Sequence, residues 1–170
     1  MKKILIFCLI SVFFISGCSG NGISDKQQKI YDGFKDSLLN NGELMSSDIP
    51  FKYNIEIQYK SGKYVYTVEV SKPRVAMSNI QMMILNPNDL SEDYLSNTVG
   101  IFDETPMYMI PNQSNKKAGY LKNIQLQGVS NEKDFRVYAL VSWKDSNQLT
   151  QYQVFFSFNI VNGKNVKAGE

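Results

Sequence analysis

Histidine is missing from all 170 positions. With it go the commonest general base, the commonest zinc ligand and the side chain that ordinarily changes charge near neutrality. Ser-His-Asp and Cys-His nucleophilic chemistry is excluded for the same reason. Cysteine is nearly missing: Cys8 and Cys18 are the only two, so no disulfide can staple anything beyond Cys18. Tryptophan occurs once, at Trp143. No dense block of Lys and Arg exists; 18 basic residues face 16 acidic ones, and Lys2 and Lys3 supply the excess. A balanced body without a basic patch argues against nucleic acid as a partner. Paired carboxylates are also scarce. Glu92-Asp93 and Asp103-Glu104 are the two pairs, and neither has the calcium-loop spacing. They read as solvated loop acids rather than as the two carboxylates of a glycosidase. No catalytic residue, metal site or cofactor is assigned, and the expectation is a protein that is not an enzyme.

What is present begins with Met1-Lys2-Lys3, a basic start, followed by the apolar run Ile4 to Ile15. That run is too short for a helix crossing about 30 Å of hydrocarbon. Basic start, short apolar run and small residues at the end make a secretory signal. Ile15-Ser16-Gly17-Cys18 resembles the lipobox of bacterial lipoproteins: a branched apolar residue, two small residues and a cysteine. The resemblance implies a diacylglyceryl thioether on Cys18, cleavage before it, and palmitate-type lipid holding the chain on the extracytoplasmic face of a membrane. An uncleaved anchor, or a plain signal with an incidental Cys18, is the alternative. Residues 1–17 are then a signal peptide and 18–23 a lipidated cysteine with a short flexible tether.

The body reads as one domain. Ser24 with Gln27 three residues on suggests a capping box, and Ile30, Phe34 and Leu38 form a helical stripe. A helix is expected over 24–42, closed by Gly42 in a left-handed conformation. From Phe51 the period becomes two. Phe51, Tyr53, Ile55, Ile57 and Tyr59 alternate with polar residues. Ser61-Gly62 turns the chain into Tyr64, Tyr66, Val68 and Val70, a hairpin. Val75–Leu85 is apolar on both parities and suggests a strand covered on both sides, with Met77, Met83 and Leu85 sharing one face. Short strands are expected at Val99–Phe102 and Met107–Ile110, a helical turn at Ser91–Leu95, and a strand within Gly119–Val129. Phe135, Val137, Ala139, Val141 and Trp143 pair with Tyr152, Val154, Phe156, Phe158 and Ile160 as a second hairpin. No strand–helix–strand repetition appears. The fold class is mainly β: an antiparallel, immunoglobulin-like β-sandwich over 51–161 with one N-terminal helix, and a polar, fraying tail at 162–170, a barrel being the alternative.

Asn112, Gln113, Ser114, Asn115, Lys116 and Lys117 form an adaptable polar loop beside the apolar Met107–Ile110, and are the candidate partner contact. The abundant tyrosines suit antiparallel strands; a stacking surface for sugar or peptide is the alternative use. The expected function is a membrane-anchored cell-envelope lipoprotein acting as a non-enzymatic binding or accessory module. Its partners are the membrane, through covalent lipid, and an envelope protein or glycan. The alternative is a structural subunit of an envelope, secretion or conjugation assembly, which would co-purify with fixed partners where an accessory module would run alone.

Overall fold

A computed structural model describes residues 23–89 and 97–166, apart from the side chain of Lys116. Cys18, the expected turn at Ser91–Leu95 and the Glu92-Asp93 pair lie outside the described residues. Among the described residues one α-helix, α1 (Asp25–Asn41), precedes eight strands. They are β1 (Lys52–Lys60), β2 (Lys63–Ser71), β3 (Ser78–Leu85), β4 (Thr98–Val99), β5 (Asn123–Ser130), β6 (Phe135–Lys144), β7 (Gln151–Val161) and β8 (Lys164–Val166). They form two antiparallel sheets, ordered β1-β2-β5 and β4-β3-β6-β7-β8.

The two sheets share one apolar core. Val68 and Ile124 from the small sheet meet Met82, Ala139 and Phe156 from the large one, as two facing sheets with alternating side chains require. The strand order follows the A-B-E and C′-C-F-G arrangement of immunoglobulin-like sandwiches, without a described counterpart of strand D and with β8 added. That likeness is one of order alone. The edges of the large sheet are the short β4 and β8, which limits the unpaired backbone offered to other chains.

Helix α1 forms a third layer. Ser24 Oγ accepts the Gln27 N–H at 3.2 Å while Gln27 Oε1 accepts the Ser24 N–H at 3.1 Å, the reciprocal cap that the sequence suggests. Tyr31, Phe34 and Leu38 are buried against Met83, Leu85, Ile101, Tyr138 and Leu140. This explains why β3 and β6 are apolar on both parities: one face packs into the sandwich and the other lies under the helix. The N-terminal part of α1 lines a cleft with Lys144 and Gln151, while Gly42 at its other end abuts Tyr138. The helix therefore runs antiparallel to β6.

Gly42 departs from expectation. It closes α1 with φ −64° and ψ −18°, a right-handed conformation. Glycine is needed there for space: a Cβ would overlap the Tyr138 ring and the Leu38 carbonyl. Met77 is another correction. It belongs to the sandwich core, not to the face of Met83 and Leu85. The β3–β6 register shifts between Ser78 and Gln81, and Asn79 sits at φ 49°, so the extra residue reverses the parity before it. Val99–Phe102 shortens to β4; Ile101 turns inward under α1. Met107–Ile110 forms isolated bridges rather than a continuous strand. The tail is corrected over 162–166. Asn162 (φ 50°) and Gly163 (φ 68°) make a two-residue turn into β8, because Asn-Gly supplies the two left-handed positions such a turn demands.

Candidate functional site

The ends of both sheets meet at one pole of the sandwich. Lys52, Ser71 and Asn123 are paired at the end of the small sheet. Ser78, Lys144 and Gln151 are paired at the end of the large one. Phe51 contacts Trp143 edge to face, with centroids 6.2 Å apart, which brings the two ends together. The connections at this pole include polar, exposed side chains such as Gln113, Ser114, Ser146 and Asn147.

Residues 107–121 form a stitched excursion at this pole. Met77 and Met109 exchange backbone hydrogen bonds at 2.9 and 3.0 Å, and Ile80 N–H donates to the Met107 carbonyl at 3.1 Å. Met109 is fully buried, and Tyr108 stacks on Tyr120 at 5.4 Å. The loop then reverses at Ile110-Pro111-Asn112-Gln113. Gln113 N–H donates to the Ile110 carbonyl at 3.1 Å, and Asn112 has φ 61°. Proline followed by a positive-φ asparagine is the type II turn pattern.

The expected contact loop is thereby divided. Asn112, Gln113 and Ser114 line a groove of about 810 Å³ whose other wall includes Glu69, Lys72 and Asn123. Asn115 serves structure: its backbone exchanges hydrogen bonds with Tyr120 at 3.0 Å each. Lys116 opens a single 3-10 turn, Lys116–Ala118. Lys117 is exposed and is not part of the groove wall. Three of the six residues therefore share a site.

Glu69 is the charged centre of that groove. Its Oε2 accepts from Gln125 Nε2 at 2.7 Å and Asn123 Nδ2 at 3.1 Å. The Gln125 hydrogen bond, seconded by those from Asn123 and Ser71 and by the charge of Lys72, holds its carboxyl below the ordinary glutamate value. With amides from two segments, the hydroxyls of Ser71 and Ser114, one carboxylate and the two lysines Lys72 and Lys122, the groove can make many directional hydrogen bonds. Its lining includes no cysteine, whose thiolate could act as a nucleophile.

The second acidic pair is explained locally. Asp103 Oδ2 accepts the Gly100 N–H at 2.6 Å, tying the loop after β4, and both Asp103 and Glu104 are exposed. Among the described residues no cluster of three or more His, Cys, Asp or Glu is placed to hold a metal ion. None of their helices is long and apolar enough to cross a membrane.

One feature was missed by the sequence reading: a second groove at the same pole, about 610 Å³, lined by Trp143 and Tyr152. Alternation places both residues in the second hairpin and marks neither as part of a groove. Their direct cross-strand pairing follows from the hairpin register, which depends on a turn length that alternation alone does not supply. No protein-family model matches the chain, and no curated protein shows significant similarity to it.

Proposed function

We propose that the chain is a membrane-anchored lipoprotein of the bacterial cell envelope whose sandwich works by contact, as a non-enzymatic binding or accessory module. The observation that carries the contact reading is the groove between Asn112–Ser114 and the Glu69–Asn123 end of the small sheet. Exposed groups from loop and strands converge there on a rigid frame, the arrangement in which loops carry recognition. The anchor is supported by Ile15-Ser16-Gly17-Cys18 following the apolar run. Two acyl chains give stable attachment where one is marginal.

The two halves of the reading are tested separately. Cys18→Ser should leave an unprocessed precursor, and mass spectrometry of the wild type should find a lipidated N-terminal cysteine. A mature N-terminus without lipid rejects the anchor. Replacing 112–114 by Gly-Ser-Gly should leave the thermal midpoint near wild type and reduce cross-linking to envelope partners. Undiminished cross-linking rejects the groove. Turnover of a glycan substrate, abolished by Glu104→Gln, rejects the non-enzymatic reading altogether.

A further inference from the structure

We infer that the Trp143–Tyr152 groove is a carbohydrate subsite in which a pyranose ring stacks on the exposed face of Tyr152. Three rings make a column from core to surface. Phe51 meets Trp143 edge to face. Trp143, 4% exposed, stacks almost parallel to Tyr152, with centroids 5.5 Å apart and planes inclined by 16°. Tyr152 is 46% exposed, so the ring that stacks on the indole still presents much of its surface to solvent. An aromatic ring held flat and rigid, half in water, is a platform for the apolar face of a flat ligand.

The rim supplies what a polyol needs beside such a platform. Ser46, Ser47 and Asp48 enter from the segment before β1, and Asp145 and Ser146 from the β6–β7 turn. Ser46 Oγ accepts the Phe155 N–H at 2.9 Å, which fixes the hydroxyl and leaves its hydrogen to donate. Asp145 Oδ1 accepts the Leu149 N–H at 3.0 Å, which fixes the carboxylate at the mouth. Asp48 pairs with Arg74 at 2.7 Å, with both side chains largely exposed. Asp48, which lines the groove, offers an acceptor for sugar hydroxyls, and opening so exposed a pair costs little in stability. The volume lies within the range of small-ligand sites.

Other ligand classes fit less well. A polyproline ridge needs several aromatic walls, and a quaternary ammonium needs a cage of rings. Tyr152 is the one largely exposed ring in this groove. The carboxylates, hydroxyls and single platform match a neutral sugar. The inference deepens the binding-module reading but uses none of the groove beside Asn112–Ser114, so each can fail alone.

Trp143 is the only tryptophan and touches Tyr152, so its emission reports this groove directly. Detergent-solubilised full-length protein is titrated with cellotriose, chitotriose, maltotriose and mannotriose. At least one sugar should give a saturable change in emission, and the four should differ in affinity. Tyr152→Ala should weaken that binding about three- to tenfold while Tyr152→Phe retains it. Asp48→Asn should also weaken it, with an unchanged circular dichroism spectrum showing an intact fold. The inference is overturned if none of the four saturates by tens of millimolar. Binding unaffected by Tyr152→Ala overturns it equally, as does saturation by decaproline and by no sugar.

Discussion

Two glycines, one inside α1 and one capping its end, should respond oppositely to the same substitution. Gly33 lies in the interior of α1, and a Cβ there meets nothing within 4 Å. Gly33→Ala should therefore stabilise by about 1 kcal/mol, the difference in helix propensity, or roughly 3 °C in a domain of this size. Gly42 already has right-handed backbone angles, so alanine there carries no left-handed penalty. Its Cβ would overlap the Tyr138 ring and the Leu38 carbonyl. Displacing a packed ring costs about 1–3 kcal/mol, which exceeds the propensity gain at a terminal position. A net loss of about 1–2 kcal/mol is expected. Urea unfolding followed by Trp143 emission measures both. A cycle with Tyr138→Ala separates the clash from other causes, because neighbours that collide show a coupling of about 0.5–3 kcal/mol. If Gly42→Ala stabilises as Gly33→Ala does, the ring is not against the helix terminus and the three-layer packing is wrong.

Two further outcomes are expected. Ile55 is 7% exposed, so Ile55→Ala should cost about 2–4 kcal/mol. Ile57, only partly buried at the same face, should cost less, and the exposed Glu56→Ala should stay within about 0.5 kcal/mol, all read by urea unfolding. Glu69 is held below its ordinary value, chiefly by Gln125, so carbon-detected NMR should place its titration low and Gln125→Ala should raise it. Because the folded value is depressed, the stability advantage of wild type over Glu69→Gln should be complete above the unfolded-chain value. It should vanish as pH falls through the folded value; an advantage that grows toward acid pH refutes the assignment.

The parts of the fold legible in the sequence are those that local chemistry specifies. Ser24 and Gln27 cap α1 through atoms three residues apart. Ser61 and Gly62, both at positive φ, close β1 on β2 with a two-residue turn. Asn162-Gly163 carries an equally strong signal, but the surrounding polar residues give β8 the composition of a tail and obscure it. What alternation cannot show is where parity breaks or what covers a second face. Asn79 shifts the register and sends Met77 into the core. Tyr138 and Leu140 occupy the nominally outer parity of β6 and are buried because α1 lies over them. Composition marks the candidate loop, Asn112–Lys117, as polar and adaptable. Composition could not tell that Asn115 spends its backbone on Tyr120, or that Ser46–Ser47 and Tyr152, distant in sequence, form opposite sides of one groove.

The direction of α1 fixes which way the molecule faces when held from its N-terminus. The helix begins beside Lys144 and Gln151, at the pole that carries both grooves, and Ser61-Gly62 marks the opposite pole. If Cys18 carries lipid, only five residues separate it from the cap Ser24, so both grooves would hang a short gap above the bilayer with the β1–β2 tip pointing away. Ligands would then enter sideways through that gap. Large, freely diffusing particles would be screened out, and membrane-embedded partners or glycans lying close to the surface would be admitted. Lengthening the tether would widen the gap and relax that selection without altering a residue of either groove.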